Sequence, residues 1–136
     1  MKNKKFIWPV RVYYEDTDAG VVVFYANYLK FFERARTEML RALGYEQDKL
    51  IINESVIFAV RSVQVDYLRP ARFNELLQVS AEVVFAKKVS LTFEQQITRG
   101  NDVLCQSIIR IACLDANNMR PKIIPENLLE LLKNEY

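Results

Sequence analysis

The spacing of apolar residues changes along this chain from a helical period to an alternating one. Over residues 28–43, apolar side chains recur every three or four positions, while charged residues fill the other faces. This spacing predicts a long amphipathic helix, and Gly44 suits the position just beyond its end. Residues 125–136 predict a second, short amphipathic helix, with Pro125 near its first turn.

Five further segments predict β-strands. Apolar and polar side chains alternate over three of them, as is typical of strands with one buried face. The last predicted strand is apolar on both faces in its middle, and Pro9 places the first strand at an edge or at a bulge. In chain order, the predicted strands span residues 6–14, 56–68, 76–86, 89–99 and 102–115.

The joins between the later strands, at residues 69–72, 87–88 and 100–101, are of hairpin length, which predicts antiparallel pairing. The predicted fold class is therefore α+β, with one central helix, a five-stranded antiparallel sheet and a short C-terminal helix. A sheet that is covered by one helix on one face leaves its edge strands and its second face exposed to water. We therefore expect the chain to form a homo-oligomer.

Length and composition narrow the class of protein. A chain of 136 residues suits one domain, so residues 1–136 are predicted to form a single unit. About half of the residues are apolar and a quarter are charged, as in soluble globular proteins.

A net charge of +2 argues neither for nor against nucleic-acid binding, but the absence of a Lys/Arg block and of an aromatic-basic RNA signature argues against it. No run of about 18 apolar residues exists, so no membrane span is predicted.

The two cysteines and the N-terminus indicate the compartment. Cys105 and Cys113 fall on one predicted strand, roughly 26 Å apart, which is too far for them to form a disulfide. Their apolar neighbours predict buried thiols, which suit a reducing compartment. The apolar stretch at the N-terminus is short and is broken by Pro9, unlike a signal peptide. These features predict a cytoplasmic protein.

The chain contains no histidine. This excludes Ser-His-Asp and Cys-His mechanisms and HExxH zinc sites. Any catalysis has to use carboxylates, hydroxyls, lysine, cysteine or backbone amides. No metal or redox cofactor is predicted.

Three acidic residues, Glu15, Asp16 and Asp18, lie just before the long helix. They could form a solvated loop in which one Asp supports the start of the helix. A calcium loop is a poorer fit, because Gly20 is at position 5 counted from Asp16, and an EF-hand needs Gly at position 6. Asp16 is predicted to be loop structure rather than a catalyst.

A third interpretation of the acidic loop is catalytic. Free amides at a helix start can stabilise an oxyanion that forms on a carbonyl, and a nearby carboxylate can activate water or attack directly. Together these groups would hydrolyse an activated acyl group. Because Asp is a weak base, with an ordinary pKa near 3.9, a thioester is a better substrate than an amide.

The segments RVYYEDTDAG and ANYLKFFERARTEML resemble the hotdog-fold thioesterases of the 4-hydroxybenzoyl-CoA thioesterase superfamily, above all its Tol-Pal-associated acyl-CoA thioesterase branch. The resemblance is dense over residues 11–41 and continues more loosely over nearly the whole chain. It implies a long helix wrapped by an antiparallel sheet. It also implies a dimer, or a tetramer of dimers, with active sites at the dimer interface. The implied activity is hydrolysis of acyl-CoA, with acyl carrier protein as another source of the acyl group.

The resemblance also implies roles for particular residues. Asp18 matches the catalytic carboxylate, which acts as a general base or as a nucleophile. Tyr25 matches the helix start whose backbone amide polarises the thioester carbonyl. Lys87 and Lys88 match a basic pair that meets the CoA phosphates. A segment of the facing subunit would line the acyl side of the site, and it comprises Val60, Arg61 and Ser62.

One position departs from this pattern. The branch usually has histidine where this chain has Tyr25, which keeps the backbone N–H but removes an ionisable imidazole. A non-catalytic module of the same fold that binds acyl-CoA or acyl carrier protein is therefore the alternative function. A hotdog dehydratase or hydratase is a further alternative, but that chemistry usually pairs histidine with an acid.

Overall fold

The computed structural model describes residues 5–136 as one five-stranded antiparallel sheet with three α-helices, which confirms the predicted α+β hotdog class. The strand order across the sheet is β1-β3-β4-β5-β2. The elements are β1 (Phe6–Arg11), a 3-10 turn (Tyr14–Asp16), α1 (Asn27–Ala42), α2 (Gln47–Glu54), β2 (Val56–Tyr67), β3 (Leu76–Ala86), β4 (Ser90–Arg99), β5 (Asp102–Asp115) and α3 (Glu126–Asn134).

Helix α1 lies across one face of the sheet and forms the centre of the core. The side chains predicted to share one helical face are buried there, including Phe32, Ala35 and Met39. Leu43 caps the helix, and Gly44 follows with a φ of +94°, a conformation that glycine adopts without strain. The predicted and observed bounds of this helix differ by one residue at each end.

Helix α2 was not predicted from the sequence. Only Leu50 of its eight residues is buried, while Ile51 and Ile52 are exposed. A single buried position cannot produce a helical period, so the sequence pattern carried no signal for this helix. Ser55, with a φ of +53°, ends α2 and turns the chain into β2.

The first strand is shorter than predicted. It ends at Arg11, and residues 12–26 form the acidic loop, which includes the 3-10 turn and leads into α1. Strand β1 is an edge strand, which agrees with the prediction made from Pro9. The other four strands match their predicted bounds within one residue.

The short join at residues 69–72 is not a hairpin, contrary to the prediction. Strand β2 pairs with β5 at one edge of the sheet, while β3 pairs with β1 and β4. The connection therefore crosses one end of the sheet from β2 to the interior. Its hydrogen bonds reach other parts of the fold instead of closing a β2–β3 turn, and one of them runs from Val23 N–H of the acidic loop to Ala71 C=O at 2.8 Å.

Bulges change which side chains face the core. The alternation predicts that Phe85 shares the buried face of β3 with Leu77, Val79, Ala81 and Val83. A register shift between Val83 and Phe85 reverses that alternation, and Phe85 is 63% exposed. A second shift, between Val60 and Ser62, makes Arg61 the extra residue of a bulge on β2.

Cys105 and Cys113 both lie on β5 and are buried and free, as predicted. Within residues 5–136, no helix is long and apolar enough to cross a membrane.

Candidate functional site

Asp16 organises the acidic loop. Its side chain is only 6% exposed, and its carboxylate accepts a hydrogen bond from the N–H of Tyr13 at 2.8 Å. Its backbone carbonyl accepts hydrogen bonds from the N–H of Phe24 at 3.1 Å and from Nδ2 of Asn27 at 2.9 Å. Asp16 thus joins the loop to the start of α1, which agrees with the structural role predicted for it.

Asp18 is exposed at the tip of the same loop. Its Oδ1 accepts a hydrogen bond from the N–H of Gly20 at 2.8 Å, and its backbone N–H donates to the carbonyl of Val22 at 2.9 Å. Among the described residues, no donor reaches Oδ2. The carboxylate is therefore anchored through one oxygen and presents the other to solvent.

The turn that follows Asp18 is strained. Val21 has a φ of +61°, which is rare for a β-branched residue. Two backbone hydrogen bonds hold it there: its N–H donates to Asp18 C=O at 3.0 Å, and its carbonyl accepts from the N–H of Phe73 at 3.2 Å. At Gly20, a Cβ would lie 3.3 Å from Asp18 Oδ1, so a larger residue would crowd the carboxylate.

The start of helix α1 offers unused hydrogen-bond donors. Within residues 5–136, the N–H groups of Tyr25 and Ala26 donate to no acceptor. The adjacent carbonyls are occupied: Phe24 C=O accepts from Asn27 N–H at 2.8 Å, and Tyr25 C=O accepts from the Tyr67 hydroxyl at 3.0 Å. Unpaired amides at a helix N-terminus carry partial positive charge, so this segment can stabilise a developing anion.

The structure places Asp18 and Tyr25 in one folded segment. Thr17 and Val23 form an antiparallel bridge. Asp18 follows Thr17 and therefore lies inside the turn that this bridge closes. Tyr25 lies two residues after Val23, outside that turn. Two backbone hydrogen bonds hold this segment together: Asp18 N–H donates to Val22 C=O at 2.9 Å, and Phe24 N–H donates to Asp16 C=O at 3.1 Å.

An aromatic cluster flanks the helix start. The ring of Tyr25 packs against Phe24, with 4.7 Å between centroids, and edge-on against Tyr67 at 6.3 Å. Tyr67 also packs against Tyr28 at 5.4 Å. The alternation of apolar and polar residues predicts Tyr67 only as a strand residue. The contact between Tyr67 and Tyr25 joins residues that are 42 positions apart in the chain. The spacing of apolar and polar residues within one segment cannot predict a contact at that distance.

The five predicted substrate-binding residues lie elsewhere. Lys87 and Lys88 are exposed in the β3–β4 turn, at the opposite end of the sheet from the acidic loop. The length of β4 separates these two ends, roughly 30 Å for a ten-residue strand. Val60, Arg61 and Ser62 are exposed on edge strand β2. Within one chain, Asp18 and Tyr25 belong to one folded segment, and these five residues lie outside it.

The outer face of the sheet holds a separate polar cavity of about 270 Å³, lined by Gln64, Asp66, Glu82 and Glu94 among others. It contains none of the predicted site residues. In the part of the chain that the structure describes, no three His, Cys, Asp or Glu side chains are grouped to hold a metal ion.

The sequence is similar to a known family model and to two relatives over most of its length. The model of the thioesterase superfamily matches residues 20–106, a range that begins two residues after Asp18. The chain is 42% identical over 128 residues to the acyl-CoA thioesterase YbgC of Haemophilus influenzae, covering 94% of each chain. It is also 42% identical over 134 residues to the acyl-CoA thioester hydrolase YbgC of Escherichia coli, covering 98% of this chain and 99% of that one.

A solved structure supports the same relationship. The probable thioesterase from Bartonella henselae superposes with a TM-score of 0.86 at 31% sequence identity. The superposition covers 90% of this chain and 100% of that chain.

Proposed function

The chain belongs to the thioesterase superfamily, and on that premise we propose that it hydrolyses acyl-CoA thioesters. Support for acyl-CoA as the substrate class comes from the two full-length relatives, each of which is named for hydrolysis of acyl-CoA. The Tol-Pal association, the cytoplasmic location and the absence of a cofactor stay predictions from the sequence.

The observation that carries the proposed mechanism is the pairing of one solvated carboxylate oxygen with free amides on a single segment. Oδ2 of Asp18 is open to water, and the N–H groups of Tyr25 and Ala26 have no acceptor among residues 5–136. The thioester carbonyl would bind at the start of α1, and the attacking water would bind beside Asp18. The donors would then face the oxygen on which negative charge develops.

The reaction balances with these groups alone. Asp18 takes a proton from water as the water oxygen forms a bond to the acyl carbon, and the carbonyl oxygen becomes an oxyanion. Collapse of this intermediate breaks the C–S bond. The proton held by Asp18 then passes to the departing CoA thiolate, which leaves a carboxylic acid and CoA as products.

Tyr25 is compatible with this chemistry in place of the branch's usual histidine. The proposed step uses the backbone N–H, which any residue other than proline supplies. The Tyr25 ring packs against Phe24 and Tyr67 and shapes the site without taking part in proton transfer.

A second copy of the chain would complete the substrate site. Strand β2 is an edge strand with exposed apolar side chains at Val60, Val63 and Tyr67, and such an edge is prone to pair with another strand. Antiparallel pairing of two β2 strands about a two-fold axis would set opposite ends of the two sheets side by side. Lys87 and Lys88 of the second copy would then lie at the same end as Asp18.

Thiol release from a panel of short-chain, long-chain and aromatic acyl-CoAs tests the proposed function. We expect turnover by the wild type and a loss of about 100-fold or more in Asp18→Asn, the usual scale for removal of a general base. Glu15→Gln is the matched control, since Glu15 is an exposed acid of the same loop whose side chain makes no hydrogen bond among residues 5–136. Wild-type binding without turnover would favour the non-catalytic module, and full activity of Asp18→Asn would reject the mechanism.

A single turnover in ¹⁸O-labelled water separates the two possible roles of Asp18. A general base directs labelled oxygen straight into the carboxylic acid product. A nucleophile first forms a mixed anhydride with the acyl group. Attack of labelled water on the Asp18 carbonyl of that anhydride places the label in the Asp18 carboxylate and releases an unlabelled carboxylic acid. Mass spectrometry of the peptide that contains Asp18 detects this label, and its presence identifies Asp18 as the nucleophile.

Subunit complementation tests the two-chain site. Asp18→Asn and Lys87→Ala/Lys88→Ala are each assayed alone and then after co-expression, at substrate concentrations below KM. If the lysines act across the interface, each mixed dimer contains one intact site, and activity returns to about a quarter of the wild-type level in a statistical mixture. If they act within one chain, no mixed dimer contains an intact site and activity stays low.

A further inference from the structure

We infer that Tyr67 is a positioning residue for thioester hydrolysis, acting through the peptide group that joins Tyr25 to Ala26. This inference rests on the proposed function and assigns a role to a residue outside the predicted site. It follows from the hydrogen bonds around the helix start.

The two peptide groups that meet at Tyr25 are each held through their carbonyl. Asn27 N–H holds the carbonyl of Phe24 at 2.8 Å, and the hydroxyl of Tyr67 holds the carbonyl of Tyr25 at 3.0 Å. A trans peptide is planar, with its N–H pointing away from its C=O. Fixing the two carbonyls therefore fixes the directions of the N–H groups of Tyr25 and Ala26.

The bond from Tyr67 has a second effect. A donor on a carbonyl polarises the whole peptide group, so the N–H of the same group becomes a stronger donor. That N–H belongs to Ala26, and it has no acceptor among the described residues. Ala26 N–H thus joins Tyr25 N–H as a second donor to the developing oxyanion.

The surroundings of Tyr67 keep its hydroxyl in place. Its ring lies edge-on to Tyr25, with an interplanar angle of 85°, and packs against Tyr28 at 63°. Partial burial is the main cause that raises the pKa of Tyr67 above its ordinary value, followed by the nearby Cys105 and the other two tyrosines. The hydroxyl is therefore protonated, and able to donate, across the neutral pH range.

Tyr67→Phe tests the inference, because it removes the hydroxyl and keeps the ring. We expect kcat for acyl-CoA to fall about 3- to 10-fold, the scale of one neutral hydrogen bond. KM should stay within about twofold and the melting temperature should not change, since the bond acts on a group used in the transition state. Tyr45→Phe is the matched control, because Tyr45 is half-buried beyond the far end of α1 and its hydroxyl has no partner among residues 5–136.

A readout independent of turnover accompanies the kinetics. Amide hydrogen exchange of Ala26, followed by NMR in the free protein, should be slower in Tyr67→Phe than in the wild type, because a less polarised peptide group has a less acidic N–H, and it should be unchanged in Tyr45→Phe. Exchange at Ala26 that matches the wild type would overturn the inference.

The kinetic outcomes separate this inference from the proposed function. Absence of turnover in the wild type would reject the proposed function, and this inference with it. An active wild type with an equally active Tyr67→Phe would reject this inference alone. A rise in KM without a fall in kcat would also reject it, because that result would assign Tyr67 to substrate binding.

Discussion

The hydroxyl of Tyr28 accepts a hydrogen bond from the backbone N–H of Ala71 at 3.0 Å, and both residues are buried. The carbonyl of Ala71 in turn accepts from Val23 N–H at 2.8 Å. Ala71 thereby connects the first turn of α1, the acidic loop and the connection between β2 and β3. The position of the proposed catalytic segment depends on this junction.

Tyr28→Phe should lower the free energy of unfolding by about 1–3 kcal/mol, because it leaves the buried N–H of Ala71 without a partner. Urea unfolding of the variant against the wild type measures the change. Tyr14→Phe is the control, since Tyr14 is exposed and its hydroxyl has no partner among the described residues. Equal stability of the two variants would contradict the structural role of Tyr28.

Val21→Gly should stabilise the protein. The left-handed conformation at Val21 costs a residue with a Cβ roughly 1–2 kcal/mol, and glycine adopts it freely. Part of this gain is offset because glycine has more conformational freedom in the unfolded chain, so we expect a net increase of about 0.5–1 kcal/mol. Thermal unfolding checks the direction. Val22→Gly, in the bridge to Arg72, should destabilise instead, and a loss of stability in both variants would contradict the interpretation.

A buried polar pair joins the middle of α1 to the sheet. Nη1 of Arg36 donates to Oε1 of Gln95 at 2.9 Å, and these residues are 8% and 1% exposed. Burial lowers the pKa of Arg36 to about 10, with a smaller opposing effect from Glu33. Nε2 of Gln95 donates to the backbone carbonyls of Phe32 and Ser80 at 3.0 and 3.1 Å.

Gln95→Leu should therefore destabilise the protein by about 3 kcal/mol or more, because it removes the partner of a buried guanidinium and of two buried carbonyls. Chemical denaturation quantifies the loss. Gln96→Leu is the matched control at the next position, where the side chain is half-buried and makes no hydrogen bond among residues 5–136. A change below about 1 kcal/mol in Gln95→Leu would show that the pair does not stabilise the core.

The buried thiols predict a loss of stability at alkaline pH. Burial raises the pKa of Cys105 to about 12 and that of Cys113 to about 11, from an ordinary value of 9.0. Above pH 9 the thiols ionise in the unfolded chain but not in the folded one, so the unfolded state is favoured as pH rises toward 11–12. Each thiol contributes a slope of up to about 1.4 kcal/mol per pH unit.

The free energy of unfolding measured between pH 8 and pH 11 tests this prediction. The slope should be shallower in Cys105→Ala than in the wild type, whatever the absolute stability of the variant. The tyrosines that ionise in the same range are present in both proteins and cancel in the comparison. Identical slopes would contradict the assignment to Cys105.

Local periodicity was sufficient to predict most of the fold. The alternating and helical patterns predicted five strands, the long helix and the C-terminal helix close to their observed bounds, because one face of each is buried over many residues. Helix α2 was missed because it buries only Leu50. The β2–β3 join was assigned to a hairpin because a short connection does not reveal which strands lie beside each other.

The sequence alone determined the types of group available to the site. The absence of histidine, the acidic loop and the adjacent helix start are local features, and they are the basis for predicting Asp18 and the Tyr25 amide. Tertiary structure decided how these groups are held. It buried Asp16 as a support, left one oxygen of Asp18 open, and placed Tyr67 on the carbonyl of Tyr25. These arrangements depend on contacts between residues distant in the chain, and such contacts exist only once the sheet order has brought β2 beside the start of α1.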